Sequence, residues 1–447
     1  MTFFFVFKIF LLFIFNFKYK FLKRILIISY FFPPCNLTAS QRVNSWAKYL
    51  HKSGFYPIIV TRKWEKHVTS FDDCHYPTSK EVLIENHDHY EVHYCPYSSN
   101  LRDKLHVQKK LYYFKKFLSL IEIIFQNIWV KICPFNNFIA EAEKIIKSEK
   151  NIHSIIISGN PFIQFKFGYK LNKKHKIPWI ADYRDAWTTS TINNISGNKI
   201  FNLINSYHKF FEKKWTKTAS YITASSEPIG KSIEQLSSIK SSAIYNGFEP
   251  EEFLKYKDIK KHEDHFQIAY IGTLYDGQDI SIFLEAYKRF IDNIKPKSKL
   301  LFPGLDLDEN QKKRISLLMD GYEDYYQTSL RIPKAEIFKI EKQSHLLLHV
   351  AWKGHSGIIA SKIYEYIGSG TKIIIAPGDN NSIDKIINTS KSGVVFNNIE
   401  STFDFLCKEY DLFVNNSTII NQTETSLQFS RENQTNKLGK ILNKIYD

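Results

Sequence analysis

A lysine and a glutamate three positions apart, Lys362 and Glu365, open the stretch Ser-Lys-Ile-Tyr-Glu-Tyr-Ile-Gly-Ser-Gly that runs into the apolar segment 371–377. That spacing places both on one face of a helix beginning at the lysine. In a first helical turn an ammonium neutralises a diphosphate beside the positive helix end. A carboxylate one turn on accepts two hydrogen bonds from a ribose diol. The bland alternative is a surface ion pair, which the pair alone does not exclude. A second loop, Gly272-Thr273-Leu274-Tyr275-Asp276-Gly277, lies between an apolar run and a helical pattern. Its free backbone N–H groups suit a phosphate, although no Gly-Lys-Ser/Thr follows and it is not a Walker loop. Asp306-Leu-Asp308 reads as solvated surface, so neither a metal nor another cofactor is expected.

These residues need strand ends to carry them. An Ile-rich run at 24–30 reads as a central parallel strand buried on both faces, and further strands at 57–61, 154–158, 179–182, 221–224 and 243–245 alternate with helical patterns. A charged, aperiodic stretch at 249–265 reads as a linker. A second alternation follows, with strands near 267–271, 300–302, 330–332, 346–349, 372–376 and 394–396 and helices at 280–291, 334–343, 362–368 and 382–388. The expected organisation is a segment 1–23, domains 24–248 and 266–425, and a C-terminal helix 426–447 packing back toward the first domain. In such open sheets ligands bind beyond the carboxyl ends of the strands.

With 447 residues, 43% hydrophobic and 24% charged, the chain is globular and long enough for two cores. Its net charge of +16 implies an anionic partner, but no zinc-finger spacing, RNP-like signature or recognition helix points to nucleic acid. Five dispersed cysteines, Cys35, Cys74, Cys95, Cys133 and Cys407, form no CxxC pair and fit a reducing cytoplasm. From Phe3 to Phe17 the chain is apolar apart from Lys8 and Asn16, and Lys18, Lys20, Lys23 and Arg24 follow. This is short for a spanning helix and is expected to anchor the protein at the inner face of the plasma membrane, unless it is an extension ahead of the true start. Apolar residues from Phe114 to Ile132 at helical spacing, with Lys109, Lys110, Lys115 and Lys116 alongside, fit either a membrane interface or a helix packed on the first sheet.

Four stretches in order carry a family resemblance: Ile25–Pro34 with Arg42 beyond, Pro178–Trp187, Tyr245–Glu249 and Lys362–Pro377. The chain resembles the bacterial glycosyltransferases of family 4 over most of 24–445. The resemblance implies an α/β, GT-B architecture, two Rossmann-like doubly wound domains facing each other across a cleft. It implies a UDP- or GDP-sugar donor, a lipid-linked or saccharide acceptor, retention of anomeric configuration, and a place in surface polysaccharide or lipopolysaccharide assembly. On it, Lys362 and the Gly272-Thr273 turn meet the diphosphate, Glu365 holds the ribose with Tyr364 beside it, and Arg331-Ile332 contacts the base. Asp182, Arg184 and Asp185 are the catalytic candidates beside Lys362, with a buried salt-bridge cluster as the alternative for the first three. Tyr30, Asn36, Arg42 and Asn160 are the acceptor-side candidates.

The chain also departs from the family pattern. Gly357 stands where the first of two glutamates is usual, Thr273 and Gln278 stand in the neighbourhood of an absent Arg/Lys pair, and Asn36-Leu-Thr-Ala-Ser40 replaces a glycine-rich turn. A nucleotide-sugar 2-epimerase and an inactive scaffold of a polysaccharide assembly complex therefore stand as rival readings.

Overall fold

The computed structural model describes residues 22–64, 71–149, 151–190, 199–355, 357–415 and 424–445. Residues 1–21 of the expected anchor lie outside them. The chain divides into unit 1, Met1–Ile244 with Thr435–Asp447, and unit 2, Tyr245–Gln434.

In unit 1, strands β1 (Lys23–Ser29), β2 (Phe55–Arg62), β3 (Leu83–Asn86), β4 (Glu91–Cys95), β5 (Ile152–Gly159), β6 (Trp179–Tyr183), β7 (Tyr221–Ala224) and β8 (Ser241–Ala243) form one sheet. Their order is β3-β4-β2-β1-β5-β6-β7-β8, parallel except where β3 runs against β4. Ile25 and Ile27 join a core on one face, Leu26 and Ile28 a core on the other, which is why β1 is apolar at every central position. The helices are α1 (Thr38–Tyr49), α2 (Leu101–Val107), α3 (Tyr112–Phe125), α4 (Asn137–Ser148), α5 (Phe165–His175), α6 (Lys199–Thr216) and α7 (Glu227–Ser237). The helical pattern expected from Phe114 to Ile132 is carried by α3 as far as Phe125, and Val130–Ile132 form a separate short turn.

Unit 2 holds β9 (Phe266–Ala269), β10 (Ser298–Pro303), β11 (Tyr326–Ser329), β12 (Leu346–His349), β13 (Lys372–Ile375) and β14 (Gly393–Val395), in the order β11-β10-β9-β12-β13-β14. All neighbours are parallel. Its helices are α8 (Pro250–Leu254), α9 (Ser281–Ile294), α10 (Glu309–Leu318), α11 (Lys334–Gln343), α12 (Lys362–Ser369), α13 (Ser382–Ser390) and α14 (Ile399–Val414). Helix α15 (Arg431–Lys444) starts here and counts with unit 1 from Thr435 onward. There Leu438, Ile441 and Leu442 join the core of Val43 and Trp46.

Counted from its own first strand, unit 2 has the doubly wound order 3-2-1-4-5-6. The order reverses between β9 and β12, so the loops after those strands diverge and leave a crevice at the carboxyl edge. Unit 1 reverses in the same way between β1 and β5. The strand expected at 330–332 lies earlier, at β11, and leaves Leu330 and Arg331 exposed in the following loop.

Candidate functional site

At the reversal point of unit 2, loop and helix meet where the sequence pattern puts them. Gly272 has φ of 84° and Gly304 of 93°, conformations that favour glycine. A Cβ on Gly304 would lie 3.2 Å from the Gly272 Cα, so the loops after β9 and β10 abut through bare backbone. Gly272 N–H donates to the Pro303 carbonyl (2.8 Å) and Gly304 N–H to the Ser329 carbonyl (3.0 Å), tying three strand ends in series. Ile271 N–H donates to the Tyr366 hydroxyl (2.8 Å), which fixes the β9 loop to α12.

Lys362, the first residue of α12, turns its ammonium toward this loop. Its Nζ donates to the Thr273 carbonyl (3.4 Å) and sits 4.0 Å from the centre of the Tyr270 ring. The Tyr270 hydroxyl donates to the same carbonyl (3.1 Å). Burial lowers the Lys362 pKa to about 7, against a smaller opposing pull from Glu365. Burial moves Glu365 the other way, above the usual carboxylate range, with Lys334 and Arg431 offsetting part of the shift. Both directions follow from withdrawing a charge from water. An anion arriving at this point would hold the lysine charged.

Two buried groups here were not singled out from the sequence. His349 closes the otherwise all-leucine β12 at the reversal point, and neither ring nitrogen has a hydrogen-bond partner among the described residues. Burial, then Lys362, holds its pKa well below the usual imidazole value. Glu341 on α11 is fully buried with both carboxylate oxygens unpartnered among the described residues, and burial raises its pKa strongly. A histidine ending an apolar strand and a glutamate on the inner stripe of a helix were the available signals.

Other expected donor residues separate. Arg331 is exposed and Ile332 partly so in the loop after β11, two strands from β9 on the same carboxyl edge. Tyr364, expected beside the ribose, is instead 1% exposed and packs in the aromatic core against Tyr245 (6.2 Å) and Phe429 (6.4 Å). Gly357 has φ of 86° and is buried, and a glutamate there would strain the backbone. Asp308 caps α10, accepting from Asn310 N–H and Gln311 N–H, and Asp306 pairs with Lys312 at 3.4 Å.

In unit 1, Asn36 and Asn160 are exposed beyond the ends of β1 and β5. Arg184, after β6, reaches across to the end of β5. Its Nε donates to the Gly159 carbonyl (2.8 Å), an Nη donates to the Asn160 carbonyl (2.9 Å), and its guanidinium lies 5.2 Å from the Phe31 ring. Burial lowers its pKa from the ordinary value. Asp185 is exposed beside it.

Three expected site residues are instead interior. Asp182 is 0% exposed and accepts from Arg42 Nη (2.6 Å) and Nε (3.0 Å), Ser158 Oγ (2.9 Å) and Thr223 Oγ1 (2.7 Å). Arg42 spends its other Nη on the Ile244 carbonyl (2.5 Å). With every strong acceptor and donor committed, this pair is the buried salt-bridge cluster. Tyr30 sits among Phe31, Trp64, Tyr97 and Phe135, its hydroxyl on Arg62, and burial raises its pKa far above the usual phenol range.

No family model matches the chain. An uncharacterised glycosyltransferase of Methanocaldococcus jannaschii is 25% identical over 197 residues, 42% of this chain and 48% of that protein. The match thus spans about half the length of this curated relative. Among solved structures, a glycosyltransferase from Rickettsia africae superposes with a TM-score of 0.59 at 14% identity, covering 95% of this chain and 98% of that one. An α,α-trehalose-phosphate synthase (UDP-forming) from Burkholderia vietnamiensis gives 0.59 at 8% identity, covering 95% and 97%. Anabaena HepE in complex with UDP-glucose gives 0.55 at 11%, covering 94% and 100%. Two parallel-sheet α/β units, together matched along nearly the whole chain by these proteins, establish the GT-B fold class.

Proposed function

We propose that the protein is a glycosyltransferase that moves a sugar from a UDP- or GDP-sugar to a lipid-linked or saccharide acceptor, with retention, in bacterial surface polysaccharide or lipopolysaccharide assembly at the cytoplasmic face of the membrane. One observation carries the donor half: the Lys362 ammonium meets the Thr273 carbonyl at the strand-order reversal of unit 2, where a doubly wound sheet binds ligands. The nucleotide-sugar in the HepE structure and the name of the archaeal relative support the same class.

In this reading Glu365 accepts from the donor ribose, and Lys362, the α12 start and the Gly272-Thr273 turn face the diphosphate. As the anomeric bond breaks, negative charge grows on the leaving phosphates, and a desolvated ammonium is worth more there than in water. Family resemblance adds that a leaving-phosphate oxygen accepts the acceptor hydroxyl's proton. In unit 1, Arg184 and Asp185 are the catalytic candidates, and Asn36 and Asn160 the acceptor-side ones.

The test is a thermal-shift screen of UDP, GDP and their sugars. A ligand at about a hundred times its Kd stabilises the folded state by about 2.7 kcal/mol, so at least one nucleotide should raise the melting temperature by several degrees. If none does, the reading fails. Glu365→Ala should then raise the donor KM and Lys362→Ala should lower turnover.

A further inference from the structure

Two helices of unit 1 hold apolar side chains out in solvent. On α3, Tyr113, Phe117 and Leu120 are 84%, 56% and 39% exposed, and on α6, Leu203 and Phe210 are 72% and 62% exposed. Spacings of four, three and seven residues put each set on one helix face. The helices are neighbours. The Tyr207 hydroxyl donates to the Ile124 carbonyl (2.5 Å), and the Asn127 amide meets the His208 ring (3.2 Å). Past the end of α3, Trp129 stacks on Phe125 at 5.7 Å and is also exposed.

The charges around these side chains have one sign. Residues 101–131 and 199–217 contain eleven lysines and three carboxylates. All three carboxylates, Asp103, Glu122 and Glu212, are buried, bonded to Tyr97, Asn100 and Thr188 respectively. Within these two segments solvent therefore meets aromatic rings and ammonium groups and no acid of their own; the exposed carboxylate of Asp72 meets His106 at the α2 end (3.0 Å), before α3 begins. A second copy of a chain of net charge +16 would bring more cations to such a face. A phospholipid surface supplies both an apolar layer for the rings and phosphates for the lysines.

We propose that the α3–α6 face binds the surface of an anionic phospholipid bilayer, with Phe117, Phe210 and Trp129 entering the headgroup boundary and the lysines lying on the lipid phosphates. It extends the basic amphipathic pattern of the α3 region to a second helix far away in sequence. The face carries no donor-site residue, so its test stands apart from sugar transfer.

Vesicle flotation of the full chain decides it, comparing phosphatidylcholine alone with a phosphatidylcholine–phosphatidylglycerol mixture. The protein should float with the mixed vesicles, and less so as salt is raised. The double variant Phe117→Ser/Phe210→Ser should lose at least about tenfold in partitioning with its melting temperature unchanged. Lys213→Glu/Lys214→Glu should lose a similar amount. Segment 1–21 is present in every protein compared, so its contribution cancels. Failure to float, equal flotation with both lipids, or undiminished flotation of the variants would overturn the proposal. So would sedimentation showing that the serine variant only dissolves a dimer.

Discussion

Asp182 and Asp185 stand three positions apart at one strand end in opposite surroundings. Asp182 is enclosed with Arg42 at its oxygens, and Asp185 faces solvent. Removing one partner of a buried pair leaves the other charge uncompensated and costs about 3–5 kcal/mol. Asp182→Ala should therefore lose about that much in urea unfolding. Asp185→Asn should stay within about 0.5 kcal/mol of wild type and, on the proposed function, lower turnover. Lys362 gives a pH-dependent case. Its folded pKa of about 7 lies below the ordinary lysine value of about 10.4. Between those values the unfolded chain binds more protons than the folded one, so this residue makes stability rise with pH. Lys362→Met should melt above wild type near pH 7, with the gap closing toward pH 10, while losing nucleotide binding. A gap that stays constant with pH would show that the buried charge is not its cause.

Elements are held by contacts that sequence distance hides. Buried Lys166 on α5 donates to the Gln126 (3.2 Å), Asn127 (2.7 Å) and Ile128 (2.9 Å) carbonyls, satisfying backbone groups at the α3 terminus. Lys166→Met strands these acceptors and should cost about 1–3 kcal/mol, with faster amide exchange across 112–132 as the local readout. The strands of Ile and Leu were legible because burial on both faces leaves no room for polar alternation, as at 25–28. The β3–β4 pair was not, since β3 is a largely exposed edge with mixed composition. Lys362 and Glu365 were legible through helix spacing, a local property. Arg42 and Asp182 are 140 positions apart, and nothing local marks them as a pair. Tyr364 shows the converse limit: its neighbour Glu365 is partly exposed, and only packing against Tyr245 and Phe429 reveals that the tyrosine faces the core.

At the scale of the molecule, a net charge of +16 favours anionic ligands without choosing among them, and the two units divide that charge between different chemistries. Unit 2 presents the desolvated Lys362 ammonium at a strand-order reversal, which on the proposed function meets a compact diphosphate. Unit 1 presents many solvated lysines around exposed rings, suited to an extended anionic surface. The central claim concerns the first. Calorimetric titration of UDP and GDP into wild type and Lys362→Met tests it most directly. Because a bound diphosphate favours the charged lysine, binding should take up protons at pH 8, seen by repeating the titration in buffers of different ionisation enthalpy. The account predicts that one nucleotide binds wild type with proton uptake and that Lys362→Met binds it at least about tenfold more weakly. Equal affinity for the two proteins, or binding of neither nucleotide to wild type, would contradict it.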